Sequence, residues 1–413
     1  MSTSSTRSSA AGAPGVRDAD VDDTDDAEGT DVDGDGDGDG DGDGAPPGSA
    51  VYALPPGADL TLDWGLTSHL HPDGTSRLIE RHLHVPPELA GLRLDHFVKT
   101  QIPRLSRTKI QDVIETQLSR VAAPAAAAPA AAAPAPAPKP ATIVAAGDHF
   151  VIRRPARAEP PCPRAFTVLH ADPRLYVIDK PALLPVHASA KFYFNTLTRV
   201  LSERFPDEPE LQIAHRLDRE TSGCLVVARD RRAAVVVKQA FATKLAVRKE
   251  YLAVVHGEPP WTTETTLDLP LRLAVPGDPT RLPHVRMLPG PGGLPAITKV
   301  TVLRAGDAVS GAPRGRAGAY SLVRCVLVTG RQHQIRAHLA AAGYPIVGDK
   351  LYAHGDDAFI RYCDEGLVPD LAARFILPRH ALHAARVTFP HPDGGTVTAE
   401  APLPADLAAL LAA

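Results

Sequence analysis

The sequence predicts an α+β fold, a mostly antiparallel mixed sheet with helices inserted between its strands, preceded by a smaller α/β unit. Three observations predict it. Short apolar runs of strand type recur between Leu175 and Val328, separated by turn-rich segments. Segments with apolar residues at helical spacing lie between them, and strands outnumber helices. An almost pure Ala/Pro tract, residues 122–141, interrupts the N-terminal portion, and proline at that density forbids a helix despite the alanines.

Taken in order, residues 1–50 are low complexity and end in an Asp-Gly repeat from Asp33 to Gly44, a composition unable to bury apolar surface and so expected to be disordered. A calcium loop starting at Asp35 would need Glu at position 46, where Pro46 stands. Order is expected from Val51. Ser76 to Val85 forms an element of undetermined type. Leu92, Leu94, Phe97 and Val98 fall at helical spacing, and a second helix is predicted from Ser106 to Glu115, with Ser106 as cap and Ile110, Val113 and Ile114 inward. Gly147-Asp148 turns into a strand, His149 to Arg154. The division read from this pattern is an acidic tail over 1–50, a small unit over 51–158 carrying the insertion at 122–141, and a large domain over 159–413. In the large domain, strands are predicted at Leu175–Asp179, Cys224–Ala228, Glu250–Val255, Thr298–Leu303 and Tyr320–Val328. Helices are predicted at Asn195–Phe205, from Arg231 to about Leu245 and at Gln332–Ala341, with turn-rich loops at Pro289–Gly293 and Gly306–Gly318.

Net charge is −4, but its distribution is uneven. Residues 1–50 hold 14 acidic and 2 basic residues, and the remainder holds 42 basic against 34 acidic. A basic body behind an acidic tail suits either a polyanion-binding protein or a mildly basic enzyme with a solubilising tail. Cys162, Cys224, Cys325 and Cys363 form no CxxC pair and match no zinc spacing, which fits a reducing compartment. There is no run of 18 apolar residues and no signal-type apolar stretch near Met1, so a cytoplasmic protein without membrane spans is expected. His333, His338, His380 and His383 lack a metal-binding motif, and nucleotide-binding loops and nucleophile elbows are missing, so neither a metal nor another cofactor is expected.

Residues 215–223, His-Arg-Leu-Asp-Arg-Glu-Thr-Ser-Gly, carry the most chemistry. They set Asp218 between Arg216 and Arg219 at the edge of the apolar run Cys224–Ala228. Such a carboxylate is either a crowded functional group or part of a surface ion pair. Three further segments accompany it: Asp179-Lys180-Pro181 followed by Pro185-Val186-His187, the run Lys249 to Gly257 containing Tyr251, and the run Thr329 to Leu339 continuing to Gly348-Asp349. Together, in this order, these segments resemble the RluA family of RNA pseudouridine synthases. Arg93-Leu94-Asp95, Leu105-Ser106-Arg107 and Ala146-Gly147-Asp148 similarly resemble an S4 RNA-binding domain, with the Ala/Pro tract in place of that family's hairpin.

The resemblance implies a pseudouridine synthase fold behind an S4-like unit, an isomerase needing no cofactor, and RNA as partner, ribosomal RNA ahead of transfer RNA, for a monomeric protein. It implies that Asp218 is the essential residue, as nucleophile at C1′ or base at C2′, and that Arg336 pairs with it. Tyr251 would stack on the uracil and help remove the C5 proton. Arg216 would fill the space the flipped base leaves, and Lys180, either a phosphate contact or a strand-end surface lysine, joins His215, Arg331, Arg107 and Lys109 as RNA-binding candidates. Two other readings stay open at this point: a non-catalytic RNA-binding assembly factor of the same fold, and a glycoside hydrolase with Glu220 as second carboxylate.

Overall fold

The computed structural model describes residues 54–412 except 56, 57, 60, 104, 122–136, 190, 245 and 306–318. The acidic tail, most of the Ala/Pro tract and the loop expected at 306–318 lie outside the described residues.

The N-terminal unit contains β1 (Leu78–His84), α1 (Leu94–Gln101), α2 (Arg107–Thr116), β2 (Leu118–Arg120) and β3 (His149–Pro155). The element of undetermined type is thus a strand. Its sheet has the antiparallel order β1-β3-β2, and α1 and α2 pack on one face around Leu83, Leu94, Phe97, Ile110, Ile114 and Phe150. Ser106 caps α2 by accepting the Lys109 N–H at 3.3 Å, as its residue type led one to expect. Strand β2 was not foreseen: its three residues include one leucine, too little for a period-2 signal.

The larger unit contains β4 (Thr167–Ala171), β5 (Leu175–Lys180), α3 (Leu197–Arg204), β6 (Gln212–Ile213), β7 (Ser222–Ala228), α4 (Arg231–Thr243) and β8 (Arg248–His256). It continues with β9 (Thr265–Asp268), β10 (Leu271–Leu273), β11 (Met287–Pro289), β12 (Ile297–Arg304), β13 (Tyr320–Leu327), α5 (Gln334–Ala341), α6 (Asp356–Glu365), α7 (Pro369–Phe375), β14 (Leu382–Pro390), β15 (Thr396–Glu400) and α8 (Ala405–Ala412). Ten strands form one sheet along the path β4-β5-β7-β14-β8-β13-β12-β9, with β15 on β14 and β6 on β7; β10 and β11 form a separate hairpin. The β7–β14 pairing is parallel and the other pairings of this sheet are antiparallel, so among the described residues the sheet is mixed and mostly antiparallel.

All seven residues of β7 are buried, because the sheet is covered on both faces there. Its glycine is required by close approach. Gly223 has φ 110°, and a Cβ on it would lie 2.7 Å from the Ala384 carbonyl carbon across the parallel pairing. Helix α3 begins at Leu197, two residues later than expected, because the Thr196 side chain caps it by accepting the Arg199 N–H, and α4 and α5 differ at one end each. Helix α4 closes at Thr243, where Lys244 turns left-handed (φ 58°), and α5 begins at Gln334 because His333 is itself left-handed (φ 50°).

Residues 63–65 run along the larger unit. The Asn195 side chain donates to the Gly65 carbonyl at 3.1 Å, and the Cys162 N–H donates to the Trp64 carbonyl at 3.1 Å. Arg77 stacks over Phe194, 4.0 Å from the ring centre, beside Ile79 and Ala156. No helix among the described residues is long and apolar enough to cross a membrane.

Candidate active site

The loop between β6 and β7 carries Asp218 to the rim of a cleft. Leu217 anchors it in the core, and Asp218 is left partly accessible, with 28% of its side chain exposed. Lys180, at the end of β5, fixes the backbone beyond it: its Nζ donates to the carbonyls of Pro181 (2.8 Å), Leu184 (2.9 Å) and Arg219 (3.1 Å). Burial, with the charge of Arg379, pulls the Lys180 pKa down to about 7. Lys180 is fully buried, so it is neither the surface lysine nor the phosphate contact weighed from the sequence.

Helix α5 supplies the opposing cation. The Gln334 Oε1 accepts from Thr329 Oγ1 (2.7 Å) and the Arg331 N–H (3.0 Å), while its Nε2 donates to Thr298 Oγ1 (2.9 Å). The start of the helix is thereby stitched to β12. One turn in, Arg336 Nη1 donates to Asp218 Oδ2 at 2.8 Å. Its Nε and Nη2 donate to Asp349 at 2.7 and 3.1 Å. Asp349 is fully buried and also accepts the N–H groups of Leu351 and Tyr352, each at 3.0 Å. Burial would raise the Asp218 pKa, but His333 and Arg336 hold it below the ordinary carboxylate value. Burial, with the charge of Arg336, brings His333 itself down to about 4, so near neutrality Arg336 is the cation responsible.

Tyr251 lies on β8 opposite Cys325, buried, and within the electrostatic reach of Asp218. Burial and that negative charge push its phenol pKa well above the ordinary value. Asp218, Arg219, Glu220, His333, Arg336 and Lys350 line one cleft. Glu220 has both oxygens occupied, one by Lys350 Nζ at 2.7 Å and the other by the His380 N–H at 2.9 Å, so it is not presented as a second free carboxylate.

The structure pairs Asp218 directly with Arg336, and Tyr251, from a third segment, lies within electrostatic reach of Asp218. Arg216 is exposed beside them, and Arg331 donates through Nε to the Pro295 carbonyl at 3.2 Å. His215 is placed otherwise than expected. Its ring stacks on Phe241 with centroids 4.5 Å apart, and its Nε2 accepts the Val226 N–H at 3.1 Å. A nitrogen and a ring face committed to the fold leave it a packing role in place of an RNA contact. Arg107 and Lys109 are exposed on α2, outside this cleft, and Lys109 pairs with Asp112 at 2.7 Å.

Sequence reasoning missed the roles of Asp349 and His333. Asp349 stood in a quoted segment, and Gly-Asp after an apolar run reads as an ordinary turn. His333 was weighed only as a metal ligand, and its left-handed backbone ahead of α5 is a tertiary feature without a periodic signal. The four histidines weighed as metal ligands are committed separately: His333 to Tyr352, His338 to Thr298 and the Leu269 carbonyl, His380 to Thr221, and His383 to Ser222.

Residues 174–341 match the family model described as RNA pseudouridylate synthase. The chain is 33% identical over 335 residues to ribosomal large subunit pseudouridine synthase D of Nitrosomonas europaea, covering 80% of this chain and 87% of that protein. It is 34% identical to an uncharacterized RNA pseudouridine synthase of Chloroflexus aurantiacus, covering 80% and 93%. It is also 31% identical to ribosomal large subunit pseudouridine synthase C of Salmonella typhimurium, covering 76% and 90%. Identity of this order over most of both chains, with the matched segment reaching from β5 through α5, shows that the chain belongs to the RluA family of RNA pseudouridine synthases.

Proposed function

We propose that this enzyme isomerises uridine in large-subunit ribosomal RNA, with Asp218 as its essential carboxylate. The observation that carries the reading is the placement of Arg336 between Asp218 and the buried Asp349. A carboxylate held ionised and oriented by an anchored guanidinium suits either attack on C1′ or proton removal from C2′. Tyr251 remains a neutral phenol near neutrality. It stacks on the uracil and accepts the C5 proton on its oxygen as its own proton passes to water, where tritium released from C5 is counted.

The target base must leave its stack, at a cost of roughly a few kcal/mol. Arg216, exposed next to Asp218, fills the vacated space, and Arg331 is a further candidate RNA contact. The unit at 78–155 acts as an S4-like RNA grip through Arg107 and Lys109, working in the cytoplasm in a monomeric enzyme. Phosphate contacts of this kind make RNA binding weaken with salt.

The test uses large-subunit ribosomal RNA carrying tritium at C5 of uridine. Wild-type protein is expected to release tritium and Asp218→Asn to release none. Release by the variant would remove Asp218 from its role, and release from transfer RNA alone would overturn the substrate.

A further inference from the structure

His333 occupies an unusual position. It precedes α5 in the left-handed region (φ 50°), a conformation disfavoured for a residue bearing a Cβ. There its ring lies between Asp218, whose Oδ2 is 4.0 Å from Nε2, and Tyr352, whose hydroxyl is 3.2 Å from Nδ1.

The surrounding groups determine which nitrogen carries the proton. The backbone N–H of Met287 donates to Tyr352 Oη at 3.0 Å. An N–H can only donate, so the tyrosine oxygen accepts there, and its own hydrogen needs another acceptor. Tyr352 is buried, and among the described residues His333 Nδ1 is the group that can take it. A proton on Nδ1 would leave the buried hydroxyl without an acceptor and turn the bare Nε2 lone pair towards the Asp218 carboxylate. A proton on Nε2 leaves Nδ1 free to accept the hydroxyl hydrogen and turns an N–H, not a lone pair, towards the carboxylate.

We infer that His333 is a positioning residue for the isomerisation: a neutral imidazole, locked by Tyr352 in the Nε2–H tautomer, that presents a second hydrogen-bond donor to the Asp218 carboxylate beside Arg336. The inference rests on the role proposed for Asp218. At 4.0 Å the donor faces Oδ2 without a hydrogen bond, and its dipole favours the ionised carboxylate of the resting enzyme. Arg336 holds the ionised form in the resting enzyme, while His333 adds a donor that carries no charge to be neutralised.

The lock reaches outside the cleft. Met287 belongs to β11, and the β10–β11 hairpin docks on α6 through Arg286–Asp356 and through Thr280 Oγ1, 2.6 Å from Asp356 Oδ2. The Arg286 guanidinium also lies over the Tyr352 ring, 5.2 Å from its centre. The tautomer of His333 is therefore tied to the seating of that hairpin.

The experiment reads the tautomer and the rate separately, on the full chain. Long-range proton–nitrogen NMR of histidine-labelled protein at pH 7 is expected to show His333 as neutral Nε2–H in the wild type and as a tautomer mixture in Tyr352→Phe. Tritium release by Tyr352→Phe is expected to fall about 10-fold to 100-fold in kcat with KM within about twofold. His333→Gln, whose amide nitrogen can stand near the Nε2 position, should keep more activity than His333→Asn, although Asn suits the left-handed backbone better. Circular dichroism at the assay temperature confirms that each variant is folded. An Nδ1–H or charged His333 in the wild type, or an unchanged kcat in folded Tyr352→Phe, overturns the inference. Wild-type protein that releases no tritium from any RNA overturns the reading of Asp218 instead, and leaves the NMR result to decide the tautomer.

Discussion

Arg336 reaches Asp218 through Nη1 alone, while Nε and Nη2 close on Asp349. Its planar fork is anchored on a buried carboxylate and offered to a partly accessible one, a division that a lysine ammonium cannot reproduce. Arg336→Lys is therefore expected to lower kcat by about 100-fold or more. Arg336→Met, which strands buried Asp349, should cost about 3–5 kcal/mol of stability. Tritium release and urea unfolding check the two effects.

Lys180 gives a contrasting outcome. Its ammonium ties three carbonyls around the Asp218 loop and has no exposed surface. Lys180→Met should lower the melting temperature and kcat, yet leave the salt dependence of RNA binding unchanged. Arg216→Ala should reduce that salt slope by about one. A lower slope for Lys180→Met in filter binding would contradict the buried role.

Gly223→Ala places a Cβ 2.7 Å from the Ala384 carbonyl carbon at φ 110°. Both strain and collision oppose it, and the neighbour is backbone in the middle of a sheet. A loss of about 3 kcal/mol or more is expected, read by chemical denaturation.

Acid should unfold the protein before its carboxylates titrate. Burial holds His333 and His383 at about 4, against 6.5 for an unperturbed histidine. Between those values the unfolded chain binds protons that the native chain does not, so stability present above pH 6.5 is lost as the pH falls towards 4. Each histidine contributes up to about 1.4 kcal/mol per pH unit. The melting temperature should drop across this window, and less so in His383→Gln.

Five of the ten strands of the large sheet, β5, β7, β8, β12 and β13, were legible in sequence because period-2 patterns are local, whereas β4, β6, β9, β14 and β15 were not foreseen; the Asp218–Arg336 pairing came from the resemblance carried by four ordered segments. What escaped was set by tertiary contact. Strand β2 is too short to show a period and exists by pairing with β3. Lys180 reads as a surface residue, since its three carbonyl acceptors come from segments that only the fold brings together. His215 reads as part of the motif that holds Asp218, yet Phe241 and Val226 claim its ring. The late start of α5 follows from one left-handed histidine, which no propensity scale foresees.

Strand β14 pairs with β7 on one edge and with β8 on the other. It joins the half of the sheet that carries the Asp218 loop to the half that carries Tyr251, and it consists of residues 382–390. On a translating ribosome, both halves have emerged long before their connecting strand exists. The Asp218 and Tyr251 segments can take up their final register only once the chain has been made beyond Pro390, so until then the nascent chain holds unpaired strand edges.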